Sequence, residues 1–136
     1  MKAYIPRGVL ELILHASRSS YPNEFGALIR GRIEGGGSGE ATESREPVAH
    51  IKELIMIPGT VQGSRHVIYH LNMLPIQSGT IGSVHSHPGG SNRPSDADLK
   101  FFDRVGPVNL IVKYPYESVA DVALYPNDAD LMVLEE

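Results

Sequence analysis

Short β-rich runs, most of them cut off by proline or glycine, recur along this chain and leave room for only two helices. Phe25 to Ile33 ("FGALIRGRI") is mostly apolar, and Val48 to Ile57 lies between Pro47 and Pro58-Gly59. Val67, Tyr69 and Leu71 alternate with polar neighbours as in a half-buried strand. Thr80 to His87 is a run of small and β-branched residues closed by Pro88-Gly89-Gly90, which continue a ladder poorly. "PVNLIVKY", "VADVALYP" and "ADLMVLEE" add three more strand candidates at the end. The first helical pattern has Pro6 as its opening residue, then Val9, Leu10, Ile13, Leu14 and Ala16 or Ser17 on one face, until Tyr21-Pro22 stops it. The second runs from Ser95 to Val105 and carries Leu99, Phe101 and Phe102. Between strands, "EGGGSGEATESREP" is too polar and glycine-rich to join a core and reads as a flexible surface loop.

With 136 residues, 41% of them hydrophobic, one domain over residues 1–136 is expected, with no repeat and no dividing linker. The net charge is -4, and acidic and basic residues are interspersed, so no basic stripe exists to neutralise phosphates and nucleic acid is not an expected partner. The apolar stretch Val9 to Leu14 is interrupted by Glu11, is far too short to span a bilayer and has no small-residue cleavage site after it. No membrane association is expected, and the cytoplasm is the expected location. The absence of cysteine removes disulfide scaffolds, thiol nucleophiles and Cys-type zinc sites together. Any metal must be held by nitrogen and oxygen, which directs attention to the six histidines at 15, 50, 66, 70, 85 and 87.

On a strand, side chains at i and i+2 leave the same face, so His85 and His87 point together while Ser86 points away. The turn "PGGSNRP" lets the chain fold back, and Asp98 in the first turn of the following helix can add an anionic oxygen. Three protein ligands with a fourth position left to water is the arrangement of a catalytic zinc site. Taken singly, each piece has an ordinary explanation. A His-x-His in a strand is commonly a packing feature, and Ser95-Asp96-Ala97-Asp98 also matches a helix-capping box. For Ser95 the two roles are compatible, because a hydroxyl can accept a capping bond and still donate to a developing oxyanion. For Asp98 they are expected to compete, since a carboxylate turned to a metal would not reach back to cap. His66 and His70 lie four apart on an expected strand but are surplus to a three-ligand site, and His15 and His50 are expected at the surface. Asn92 and Arg93 read as turn residues that could border a substrate channel.

The string "HSHPGGSNRPSDAD" resembles, position for position, the signature of the JAMM (MPN+) zinc metallopeptidases. That resemblance implies Zn2+ on His85, His87 and Asp98, with Ser95 helping to stabilise the tetrahedral intermediate. The family also places a glutamate upstream, between the first helix and a strand, followed closely by glycine. "YPNEFGALIRG" looks like that element and makes Glu24 the matching general base. Chemistry alone does not select Glu24 from sixteen acidic residues, and on its own it reads as a solvated residue at a strand edge. The similarity covers nearly the whole chain from about Pro6. It implies an α/β fold of the α+β type, a curved mixed β-sheet flanked by the N-terminal helix and by the helix after the zinc loop.

The same resemblance implies cleavage of peptide or isopeptide bonds after the Gly-Gly tail of a ubiquitin-like modifier. Gly-Gly is slim and flexible enough to thread past a recessed metal while extended along a sheet edge. The short stretch after Asp98 leaves little room for the extra segment of ubiquitin-specific relatives, so the compact prokaryotic type is expected, with a ubiquitin-like or sulfur-carrier protein as partner. Pro58 to Pro75 is long enough to form part of a recognition surface. Three functions are carried forward: an isopeptidase removing a modifier from lysine, a peptidase trimming the extension of a small sulfur carrier, and a non-catalytic MPN scaffold. The residues leave the oligomeric state open.

Overall fold

The computed structural model describes residues 1–35, 46–56, 78–126 and 129–135. Its elements are β1 (Lys2–Pro6), α1 (Arg7–Ser20), β2 (Gly26–Glu34), β3 (Val48–Ile55), β4 (Thr80–His87), α2 (Asp96–Val105), β5 (Val108–Lys113), β6 (Val122–Tyr125) and β7 (Asp130–Leu134). Among the described residues these strands form a single mixed sheet in the order β6-β5-β4-β2-β3-β1-β7. β1 runs parallel to β3 and β7, and β4 parallel to β5, while the other neighbouring pairs are antiparallel. The α+β architecture expected from the resemblance is the one observed.

The period-2 alternation of the central strands divides the apolar residues between the two faces. Ala27 and Ile29 of β2, Val84 of β4 and Leu110 and Val112 of β5 pack into a cluster with Leu10, Ile13 and Leu14 of α1. Leu28 of β2 and Ile111 of β5, from the opposite face, pack with Phe101, Phe102 and Val105 of α2. Each fully buried Leu, Ile or Phe stabilises by roughly 1.5–3 kcal/mol, so the two helices are fixed to the sheet mainly by these contacts. β4 therefore lies inside the sheet with one helix over each face, and its C-terminal end is the place where side chains from both layers meet.

Several boundaries differ from the sequence expectation. β1 was not expected at all: "KAYIP" is short, begins with lysine and ends in proline, yet Ala3 and Ile5 alternate inward and are fully buried between β3 and β7. Pro6 closes β1 as the extended N-cap of α1 and is not the first helical residue. β2 is displaced by one residue from Phe25–Ile33, β3 ends at Ile55 instead of Ile57, and Val119–Asp121 form a 3-10 turn before β6. That turn is capped by the Ser118 hydroxyl, which accepts from the Ala120 amide. The expected strand at Val67, Tyr69 and Leu71, most of the "EGGGSGEATESREP" loop and the Pro58 to Pro75 stretch lie outside the described residues.

One glycine sets the approach of β4 to β5. A Cβ at Gly82 would run into the Val108 carbonyl oxygen, so no side chain fits without separating the strands. Gly82→Ala is expected to lower stability by about 1–3 kcal/mol through overpacking, read from the urea midpoint. A variant within ~0.5 kcal/mol of wild type would show that β4 and β5 do not approach so closely.

Candidate metal centre

His85 and His87 end β4 on the face that carries α2, two residues apart as the strand period requires. The loop after them turns back, and the first turn of α2 brings Asp98 against both rings. His85 Nε2 lies 3.1 Å from His87 Nε2 and 3.3 Å from Asp98 Oδ1, and His87 Nε2 lies 3.4 Å from Asp98 Oδ2. One ligand atom from each of the three lies within 4.8 Å of the others. His85 is fully buried, its ring 6.3 Å from that of Phe102, whereas His87 is half-buried. The loop is braced by Asn92, whose amide donates to the Asp121 carbonyl and whose carbonyl accepts from the Tyr125 hydroxyl.

The expected competition at Asp98 does not occur. A full capping box is present: the Ser95 hydroxyl accepts from the Asp98 amide at 3.1 Å, and Asp98 Oδ2 accepts from the Ser95 amide at 2.8 Å. A carboxylate has two oxygens and about four lone-pair directions. Oδ1 faces His85 while Oδ2 serves both the Ser95 amide and the His87 side, so capping orients the carboxylate toward the imidazoles.

The tautomer of His87 follows from its other nitrogen, since the Ser91 carbonyl 3.0 Å from Nδ1 can only accept. Nδ1 is thus committed to that carbonyl, and Nε2, which faces Asp98 and His85, is the nitrogen whose proton a metal would replace. His85 Nδ1 is buried without a hydrogen-bond partner, and its Nε2 faces the same point. Two imidazole nitrogens directed at one carboxylate, with no sulfur in the chain, make a donor set that fits Zn2+.

Glu24 comes to this corner along a separate path. Gly26 pairs with His85, the Phe25 amide donates to the Ser86 hydroxyl at 2.8 Å, and the Ser86 amide donates to the Phe25 carbonyl at 2.9 Å. Glu24 is the next residue, half-buried and within electrostatic reach of both His87 and Asp98.

Residues 6–124 match the prokaryotic homologs of the JAB domain (Prok-JAB). The chain belongs to this family. Its site is of the JAMM zinc-metallopeptidase type. A probable metalloprotease of Haloferax volcanii is 35% identical over 112 residues, which take in 82% of this chain and 66% of that protein, just under two thirds of it. A solved structure of a JAB1/MPN domain protein from Archaeoglobus fulgidus has 35% identity and a TM-score of 0.60, covering 99% of this chain and 100% of that one. Another, described as JAMM, a metalloprotease-like zinc site in the proteasome and signalosome, has 30% identity and a TM-score of 0.62, covering 99% and 98%.

The electrostatics of this JAB-family site divide its residues into two groups. Burial disfavours a charged Asp98, but hydrogen bonds from His85, His87 and the Ser95 amide hold its carboxyl far below the usual carboxylate range. Burial pushes the His85 imidazole down against the pull of Asp98, which keeps it neutral and able to ligate. Burial also opposes a charged His87, yet its hydrogen bonds to Asp98 and the Ser91 carbonyl, with the Asp98 and Glu24 charges, leave it above its ordinary value. Glu24 stands apart: burial, opposed by His87 and assisted by Asp98, raises its carboxyl to about 7. It is thus not the ordinary solvated glutamate that its place at a strand edge suggests.

The other histidines are elsewhere. His15 is exposed on α1, and His50 stacks on Tyr4 with ring centroids 5.7 Å apart, half-buried and 3.6 Å from Glu34. His66 and His70 lie outside the described residues. Arg93 is exposed. Two residues that sequence reasoning passed over bear on the site: Ser86, fully buried between the ligands in sequence, and Tyr116, whose hydroxyl donates to the His87 carbonyl at 2.9 Å. The available signal for Ser86 was a hydroxyl at a position whose strand parity faces the core.

The raised Glu24 carboxyl has a consequence for the metal-free protein. Its folded value lies above its unfolded one, so its support of folding is complete only below about pH 4.5 and is lost as the pH rises to about 7. Each unit corresponds to ~1.4 kcal/mol, and discounting for partial exposure leaves about 1–2 kcal/mol. With chelator present, Glu24→Gln should therefore match wild type near pH 4.5 and exceed it by about 1–2 kcal/mol near pH 8, measured by urea unfolding. Equal stability at both values would mean that Glu24 is solvated.

Proposed function

We propose that this protein is a zinc-dependent peptidase that hydrolyses the bond after the Gly-Gly tail of a ubiquitin-like modifier, preferring the isopeptide bond to lysine. The observation that carries the reading is the convergence of His85, His87 and Asp98 with a half-buried carboxylate, Glu24, poised near neutrality beside them. A base is most effective when its pKa lies near the working pH, and partial burial, assisted by the Asp98 charge, brings Glu24 there in the metal-free protein.

His85, His87 and Asp98 would hold zinc, which would supply Lewis acidity at the scissile carbonyl and make the attacking water more acidic. Glu24 takes the proton of the attacking water on a carboxylate oxygen and returns it to the departing amine. Ser95 accepts the Asp98 amide at its oxygen, which leaves its hydroxyl proton to donate to the carbonyl oxygen as negative charge develops there. Phe102 and the β4 backbone shield His85 from water, which favours its neutral, ligating form. The preference for a Gly-Gly tail rests on the slimness of glycine, which suits a metal approached past the Pro88 to Pro94 loop. The partner class is a ubiquitin-like or sulfur-carrier protein, met in the cytoplasm.

Incubation with a branched and a linear Gly-Gly fusion, with and without chelator, tests the reading. The branched fusion should be cleaved faster and only without chelator, and Glu24→Gln should lose at least about a hundredfold in turnover while keeping near one zinc per chain. Preference for the linear fusion would favour trimming of a sulfur carrier instead. Zinc binding with no cleavage of either would point to a scaffold and sink the proposal.

A further inference from the structure

The H-S-H tripeptide has two faces, and only one belongs to the metal. Ser86 points to the α1 side, where Val84, Val112, Tyr116 and the apolar face of α1 form the larger core cluster. A fully buried hydroxyl there is unfavourable unless its hydrogen bonds are made, and alanine would pack with less desolvation. It accepts from the Phe25 amide, 2.8 Å away and itself buried, and is also hydrogen-bonded to the Tyr116 side chain.

The bond to the Phe25 amide replaces a regular one. In an antiparallel pair, two opposed residues in hydrogen-bonding position exchange both backbone bonds. Here the Ser86 amide donates to the Phe25 carbonyl, but the Phe25 amide donates to the Ser86 side chain instead of a backbone carbonyl. The ladder between β2 and β4 accordingly has its last paired residues at Gly26 and His85. Beyond them one backbone bond and the hydroxyl together hold the chain bearing Glu24 against the strand bearing His87.

The same back face holds His87 by a second bond. Tyr116 is 1% exposed and sits at φ 60, a left-handed conformation rare for an aromatic residue. Its hydroxyl donates to the His87 carbonyl at 2.9 Å, and its own carbonyl accepts from the Arg18 guanidinium on α1. Backbone in such a conformation persists where the surroundings over-determine it. Tyr116 and Ser86 thus tie the chain segments carrying Glu24 and His87 to a single buried point.

We propose that Ser86 is a positioning residue whose hydroxyl, clasping the Phe25 amide with Tyr116 behind it, sets the distance between Glu24 and the metal ligands. The inference rests on the peptidase reading for its catalytic consequence, but not for the clasp itself. A displacement of about 1 Å at a reacting group can lower a rate a hundredfold, so the effect belongs in turnover and not in metal affinity.

Three proteins, wild type, Ser86→Ala and Ser86→Thr, test it in the zinc-loaded full chain. Ser86→Ala should lower kcat by about tenfold to a hundredfold with KM changed less than about threefold. Zinc should stay near one per chain, and the visible absorption of the cobalt-substituted protein should be unchanged. Ser86→Thr keeps the acceptor and should recover most of kcat. Hydrogen exchange at the Phe25 amide, followed by NMR, should be slow in wild type and Ser86→Thr and fast in Ser86→Ala. Unchanged kcat in Ser86→Ala, or loss of metal in step with activity, would overturn the positioning role, and an equally protected Phe25 amide in all three would overturn the clasp. A wild type with a protected Phe25 amide and bound zinc that cleaves no Gly-Gly fusion would instead overturn the peptidase reading and leave the clasp supported.

Discussion

Asp98 carries a negative charge into a nearly closed corner of the fold, and the arrangement of the site follows from what offsets that burial. Without partners, a buried carboxylate would take up a proton. Here the Ser95 amide, His85 and His87 surround it, and its carboxyl stays ionised far below the usual range. The capping box is therefore part of the metal centre. It fixes the carboxylate with a local bond whose geometry depends only on the first turn of α2. Phe101, Phe102 and Val105 then fix α2 to the sheet, so the position of one oxygen is inherited from an apolar cluster.

The second constraint is the strand period. Since alternate residues of β4 face opposite layers, the two imidazoles reach one face and Ser86 the other without any irregular backbone. Gly82 lets β5 approach closely enough to hold that strand on one side, while β2 holds it on the other and delivers Glu24. Chemistry is thus placed at the end of a central strand between two helices. Asp98 is held ionised by its hydrogen bonds, whereas partial burial raises the Glu24 carboxyl to about 7.

Much of this was legible in the residues. Thr80 to His87 reads as a strand because it is short, β-branched and closed by Pro88-Gly89, and the observed strand has those bounds. Spacing alone made it legible that His85 and His87 share a face, whereas choosing Asp98 as their partner over a plain cap rested on the resemblance. β1 was not, because its two inward residues, Ala3 and Ile5, are too few to make a period, and parallel partners distant in sequence decide their burial. The dual use of Asp98 was hidden for a different reason. A sequence shows that a residue can cap or ligate, but not that the two oxygens can divide the tasks. Glu24 needed the resemblance, since its raised carboxyl depends on burial that no local pattern encodes.

The central claim is that two imidazoles and one carboxylate of this chain hold zinc and leave a position for water. X-ray absorption at the zinc edge of the loaded protein tests it most directly. The account predicts four nitrogen and oxygen ligands at ~2.0–2.2 Å, with multiple scattering from two imidazoles. A shell with one imidazole or none, or a protein that retains no zinc, would contradict it.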